Sequence, residues 1–231
     1  MRMLVSVRDV PEALLAAHGG ADFIDLKEPR EGALGGLATA TIAAIVQALR
    51  DRGCTLAISA TIGDLPMRDL DAILERVDAV AHCGVDYVKV GIERDPCASA
   101  VLDALAASGH AVVPVFIADK GLDAEAVEHA CALKFPGLMV DTADKLAGSL
   151  FDVLSDASLR RFVAMVRASG ALVGLAGALR QPQLGALRAL NPDFAGFRSA
   201  VCAGDRSGAL DLQRLRTLAS ALHASPALAD T

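Results

Sequence analysis

Residues 17–27 read AHGGADFIDLK, and residues 81–89 read AHCGVDYVK. Each segment is a helix end, a glycine, an aspartate and then a short apolar run. Runs of that kind recur along the whole chain: MLVSV (3–7), FIDLK (23–27), LAISAT (56–61), YVKVGI (87–92), AVVPVFIA (111–118), GLMVDT (137–142), LVGLAGAL (172–179) and FAGFRSAV (194–201). Most stretches between them have the spacing of amphipathic helices, as in DLDAILERVDAVAHCG (69–84) and DASLRRFVAMVRASG (156–170). Strands that alternate with helices imply βαβ units and a parallel sheet. Eight such units in 231 residues predict an α/β protein with a single (β/α)8 barrel over residues 1–223. The tail 224–231, ASPALADT, is expected to be disordered. A doubly wound open sheet is the alternative, weakened because no GxGxxG follows the first strand. In DVPE, Asp9 is placed as an N-cap, Pro11 in the first helical turn and Glu12 as the capping-box partner, with the helix ending at HGG (18–20).

Composition excludes several function classes. The net charge is −6 with both signs interspersed, there is no Trp and only one Tyr. Neither a basic footprint nor an aromatic stacking platform for nucleic acid is present. No apolar stretch reaches the roughly 20 residues of a membrane span, and the N-terminal run is too short for a signal peptide, so a cytoplasmic location is expected. The cysteines (54, 83, 97, 131 and 202) are odd in number and form no CxxC, which supports neither a disulfide framework nor a zinc site. No HExxH, EF-hand or Walker pattern occurs, so neither metal nor cofactor is expected. Apolar helix faces in an Ala-rich chain favour a homo-oligomer.

Barrel strands alternate between lumen and helix layer. Ile24 and Leu26 suit the helix side, which turns Asp25 and Lys27 inward. By the same alternation Tyr87, Lys89, Gly91, Met139 and Asp141 point inward. The echo of 17–25 in 81–89 aligns Asp25 with Lys89, which puts Lys89 one inward layer below Lys27, roughly 6–7 Å at strand rise. A lysine at a strand end is ordinarily solvated, so Lys27 alone carries little. A lysine in mid-strand facing inward must be paired. Lys89 is therefore either half of an ion pair with Asp25 or Asp141, or a catalytic amine. Beside a second cation in a dry site, a lysine amine loses its proton readily and forms a Schiff base with a carbonyl, while inward aspartates orient it and move protons.

Ser59 ends the inward side of the third strand and is placed either to bind substrate or to cap the next segment. Lys145 lies in the loop after the sixth strand. Gly177 in LAGAL (175–179) and Gly204 and Asp205 in CAGDRSG (202–208) fall on the loops after strands seven and eight, the usual phosphate position of such barrels. Arg198, near the end of the eighth strand, is either a phosphate ligand or one half of a barrel ion pair.

LVSVRDVPEA (4–13), GGADFIDLKEPREGALGG (19–36), SATIGDLP (59–66), GVDYVKVGI (84–92), MVDTADKLAGSLFD (139–152), LAGAL and GFRSAVCAGDRSGALD (196–211) together resemble the (5-formylfuran-3-yl)methyl phosphate synthase family, also called 4-(hydroxymethyl)-2-furancarboxaldehyde-phosphate synthase. The match runs in order to about residue 222; segment 119–134 matches poorly, and Ser149 stands where the family can carry an extended polar loop. The resemblance implies a TIM barrel and a carbon–oxygen lyase. It implies that two glyceraldehyde 3-phosphate molecules condense into the furan phosphate, with loss of phosphate and water, on the way to methanofuran-type C1 carriers of methanogens and methylotrophic bacteria. It places the Schiff base on Lys27, the proton acceptor on Lys89, and further active-site groups on Asp25, Asp141 and Lys145. Competing readings are an ordinary class I aldolase-like phosphosugar enzyme and a non-catalytic barrel that binds a phosphorylated metabolite.

Overall fold

The eight apolar runs lie side by side, each parallel to the next, and the last returns to the first. In the computed structural model, which describes residues 1–32, 34–144 and 148–224, they form a closed barrel in chain order. The strands are β1 (Arg2–Val7), β2 (Phe23–Leu26), β3 (Ala57–Thr61), β4 (Tyr87–Ile92), β5 (Val112–Ile117), β6 (Gly137–Asp141), β7 (Leu172–Leu175) and β8 (Phe194–Phe197). Around them run α1 (Val10–His18), α2 (Thr39–Arg50), α3 (Leu70–Ala81), α4 (Ala98–Ala107), α5 (Ala124–Ala132), the single turn α6 (Leu150–Val153), α7 (Asp156–Ser169), α8 (Leu184–Leu190) and α9 (Leu212–His223). The chain therefore adopts the TIM-barrel fold. Segment 225–231 and Lys145 lie outside the described residues.

The strand residues split between two apolar layers, as period-2 alternation requires. Ile24, Leu26, Val88, Val90, Leu138 and Val140 join the main core between barrel and helices. Leu4, Val113, Val115, Met139, Ala176 and Phe194 fill the lumen. Phe23 and Phe194 meet edge to face there, with centroids 5.4 Å apart, in a geometry worth about 1 kcal/mol beyond burial. Among the described residues no helix is long and apolar enough to cross a membrane.

Two local expectations change. The apolar runs at 172–179 and 194–201 outlast their strands, which stop at Leu175 and Phe197. The remaining residues are loops that stay apolar because they are buried over the barrel mouth; Ala176 and Leu179 are 6% and 1% exposed. At the start of α1, Asp9 is the N-cap and accepts from the Glu12 N–H at 2.9 Å. Glu12, however, accepts from the Arg8 N–H at 3.1 Å rather than from the N-cap residue. Its carboxylate is drawn instead to Arg198.

Candidate active site

Two lysine–carboxylate pairs cross the lumen, one above the other. Lys89 Nζ lies 2.9 Å from Asp25 Oδ1, and both side chains are at most 3% exposed. Two residues after Asp25, just past the end of β2, Lys27 has its Nζ 3.5 Å from Asp141 Oδ2. Of the two partners that the sequence left open for Lys89, Asp25 and Asp141, the 2.9 Å contact is to Asp25.

Hydroxyls complete the lower pair. Ser59 Oγ donates to Asp25 Oδ1 at 2.6 Å and Ser6 Oγ to Asp25 Oδ2 at 3.3 Å. Burial alone would raise the Asp25 pKa, but the charges of Lys89 and Lys27 and the Ser59 hydrogen bond outweigh it and hold the carboxyl below its usual range. For Lys89 burial prevails: it disfavours the ammonium, Lys27 adds repulsion, and Asp25 recovers only part, so this pKa falls below that of an ordinary lysine. In the upper pair the Thr142 N–H donates to Asp141 Oδ1 at 2.8 Å, which fixes the carboxylate at the end of β6.

The loop after β2 closes the mouth. Its Leu34 is 2% exposed and packs into the lumen cluster. Three contacts pin it: Thr61 Oγ1 donates to the Gly35 carbonyl at 2.9 Å, the Leu34 N–H to Asp64 Oδ1 at 3.3 Å, and Arg206 to the Gly32 carbonyl at 3.3 Å. Gly91 leaves room for this loop, since a Cβ there would stand 3.0 Å from Leu34 Cδ1. Beneath the loop is a cavity of about 30 Å³, bordered by Asp25, Lys27, Asp141, Gly177, Arg198 and Arg206. That is room for a water or two. Lys89 borders a separate cavity of about 30 Å³, on the aromatic side with Phe23, Tyr87 and Phe194. Asp25 is thus the group between Lys89 and the upper cavity.

Gly177 sits on the wall of the upper cavity with φ +118°, and a Cβ there would be 2.9 Å from Thr142 Cγ2. Ala178 follows with φ +46°, a conformation that costs a non-glycine residue about 1 kcal/mol or more. The N–H groups of Gly177, Ala178 and Leu179 have no acceptor among the described residues. Successive free amides in such a loop can hold an anion.

Arg198 meets the second of its two expectations. It is 7% exposed, and its guanidinium donates to the carbonyls of Arg206 (2.8 Å), Ser6 (3.0 Å) and Gly208 (2.8 Å) and to both oxygens of Glu12. Those bonds use all five of its N–H donors. It ties the loop after β8 to α1 and leaves no donor for a phosphate. Gly204 and Asp205 do not border the upper cavity; they line a groove outside it. Asp205 accepts from the N–H and Oγ of Ser207, at 2.8 and 2.6 Å, so it shapes its own loop. Ser59 does not cap the next segment; its hydroxyl donates to Asp25.

Sequence reasoning placed Lys27, Lys89, Asp25, Asp141 and Gly177 together, and they are together. It missed Ser6, Thr142 and Arg206. Ser6 was legible as an inward position of β1. Arg206 sits in the already suspect CAGDRSG loop; burial lowers its pKa and the nearby Asp141 opposes that.

A closed parallel barrel with paired lysines and carboxylates at the carboxyl ends of its strands defines an enzyme of the TIM-barrel class. Solved structures with this fold include phosphoribosyl anthranilate isomerase from Thermus thermophilus (TM-score 0.66, 18% identity, 96% of this chain and 98% of that one). Another is 3-hexulose-6-phosphate synthase from Salmonella typhimurium (TM-score 0.63, 18% identity, 96% and 100%). Those likenesses concern the fold alone. The family is more specific: a family model described as 4-HFC-P synthase matches residues 3–219. The (5-formylfuran-3-yl)methyl phosphate synthase of Archaeoglobus fulgidus is 34% identical, over 96% of this chain and 100% of that protein. The one of Methanopyrus kandleri is 37% identical, over 96% and 98%. The chain belongs to the (5-formylfuran-3-yl)methyl phosphate synthase family.

Proposed function

We propose that this chain is a cytoplasmic carbon–oxygen lyase that joins two molecules of glyceraldehyde 3-phosphate into 4-(hydroxymethyl)-2-furancarboxaldehyde phosphate for methanofuran-type cofactors. Atoms balance if one phosphate and two waters leave. The observation that carries the reading is the stack of two buried Lys–Asp pairs, with Lys27 at the mouth and Lys89 below it. Such a stack sets a nucleophile where a substrate arrives and a proton store beneath it.

Lys27 gives up a proton to Asp141 and its amine attacks the carbonyl of one triose phosphate; loss of water leaves the iminium. The iminium withdraws electrons from the adjacent C–H, whose proton goes to Asp25 and on to Lys89. The lowered pKa of Lys89 suits an amine that takes up and returns a proton more readily than an ordinary lysine. The enamine carbon bonds to the second carbonyl. Ring closure, loss of phosphate and of two further waters, and hydrolysis of the imine, which takes back the water lost at the iminium, restore Lys27. The amides of 177–179 are placed to hold a phosphate.

The test is borohydride reduction in the presence of glyceraldehyde 3-phosphate, followed by peptide mass spectrometry, with ultraviolet detection of product in a parallel unreduced sample. A reduced adduct on Lys27 and an absorbing furan are expected. An adduct with a non-absorbing sugar phosphate as product indicates an aldolase. Bound substrate with no adduct on either lysine refutes the Schiff-base mechanism.

A further inference from the structure

A much larger cavity than the one over Lys27 lies beside it. It is a groove of about 600 Å³ just outside the mouth, between the loop after β7, the loop after β8 and the start of α9. Three arginines reach it from those three segments: Arg180, Arg206 and Arg214. The groove shares Ser199 and Arg206 with the 30 Å³ inner cavity, so the two adjoin.

The charges there are unbalanced. The two carboxylates on the groove wall are committed to backbone: Asp205 accepts from Ser207, and Asp211 caps α9 by accepting from the Arg214 N–H at 2.9 Å. None of the three arginines forms an ion pair among the described residues. Arg214 donates to the Cys202 carbonyl and Arg206 to the Gly32 carbonyl, which leaves donors on both, and the Arg180 side chain is exposed without a partner. Arg214 also stands in the first turn of its helix, where a cation opposes the helix dipole. In a chain of net charge −6, three guanidinium groups against two carboxylates around one groove leave a local positive excess that suits an anion with several acceptor oxygens.

We propose that this groove binds the phosphate group of one of the two triose phosphates while the other phosphate lies on the amides of 177–179. The assignment of the ligand rests on the two-substrate reading above. Two dianions repel strongly at one site, and the inner cavity is too small for both. A groove that meets the inner cavity at Arg206 holds the second phosphate outside and lets its three-carbon chain reach inward. Arg206 also grips the loop that carries Leu34, so the same residue faces the anion and the closed mouth.

The test titrates the full chain with inorganic phosphate, read by 31P NMR line width, and measures furan formation against glyceraldehyde 3-phosphate. Arg180→Glu is the main variant, because an exposed side chain without a partner can change sign without unfolding the barrel. Arg214→Gln is the second. We expect Arg180→Glu to raise the half-saturating phosphate about tenfold or more, the loss of one charge-assisted contact. Its KM should rise similarly with kcat within about twofold. Trapping of unphosphorylated glyceraldehyde on Lys27 should be unchanged. Phosphate titrations that coincide for wild type and both variants, while wild type makes furan, overturn the groove. A wild type that makes no furan but whose phosphate titration still shifts in Arg180→Glu overturns the catalytic reading and the triose assignment, and leaves an anion groove.

Discussion

Replacing Lys89 by Met removes one partner of a 2.9 Å ion pair whose two side chains are 3% and 1% exposed. Breaking a buried pair from one side costs about 3–5 kcal/mol, because a charge is left without its partner. Asp25 keeps its Ser59 and Ser6 hydrogen bonds, and Met removes an ammonium that burial itself disfavours. The cost should therefore sit near about 3 kcal/mol, a fall in Tm of roughly 6–12 °C for a chain of this size. Adding Asp25→Asn to Lys89→Met should recover about half of it, since the orphaned charge is gone. The pH dependence supplies an independent check. In wild type the depressed Asp25 pKa gives stability that is present above about pH 3.9 and lost as pH falls through the folded value. In Lys89→Met the same carboxyl is pushed upward, so folding costs more as pH rises past that point. The depressed Lys89 pKa makes wild type gain stability from its folded pKa up to about pH 10.4, and the variant lacks that gain. The gap between the two proteins should therefore widen steadily with pH. Calorimetry from pH 4 to pH 9 measures it. A gap below about 1 kcal/mol at neutral pH, or one that does not change with pH, would refute the account of a coupled buried pair.

Arg198→Ala leaves the buried Glu12 with only its longer, 3.5 Å contact to Arg8 Nε and takes this donor from three carbonyls; we expect a loss of about 3 kcal/mol by urea denaturation, with Arg198→Lys recovering only part because an ammonium cannot span the same acceptors. Full stability in Arg198→Ala would remove the structural role assigned here. Leu34→Ala should cost about 2–3 kcal/mol and speed borohydride trapping of glyceraldehyde on Lys27 several-fold by opening the mouth; an unchanged trapping rate means that the loop does not limit access. Gly177→Ala places a Cβ 2.9 Å from Thr142 Cγ2 at a φ of +118°, so calorimetry should find it less stable by about 1–3 kcal/mol, and a Tm equal to wild type would count against a strained cradle.

The barrel was legible because each strand after the first is an apolar run preceded by a helix end and because the lumen residues break the apolar rule at period two. Asp25, Lys27, Lys89 and Asp141 stand out for that reason: a charge inside an apolar run must be paired or functional. What the sequence hid is contact between segments far apart. Glu12 looked like a local capping residue, and only the closed barrel brings Arg198 to it. Arg206 looked like one charge among several in a polar loop; its place depends on how two loops meet over the mouth. The last two strands read too long because burial, not strand pairing, keeps their extensions apolar.

The bond between Arg198 and the Ser6 carbonyl joins residues 192 positions apart, next to the β1–β8 pairing that closes the barrel. Contacts of such separation form late and slow folding. Until Arg198 has left the ribosome, β1 presents an unpaired strand edge and Glu12 has only Arg8, 3.5 Å away, as counter-ion. Nascent chains of this protein therefore pass through a stage with most of the barrel made and a ready template for strand addition at its open seam. The seam closes only with the eighth strand and the arginine that follows it.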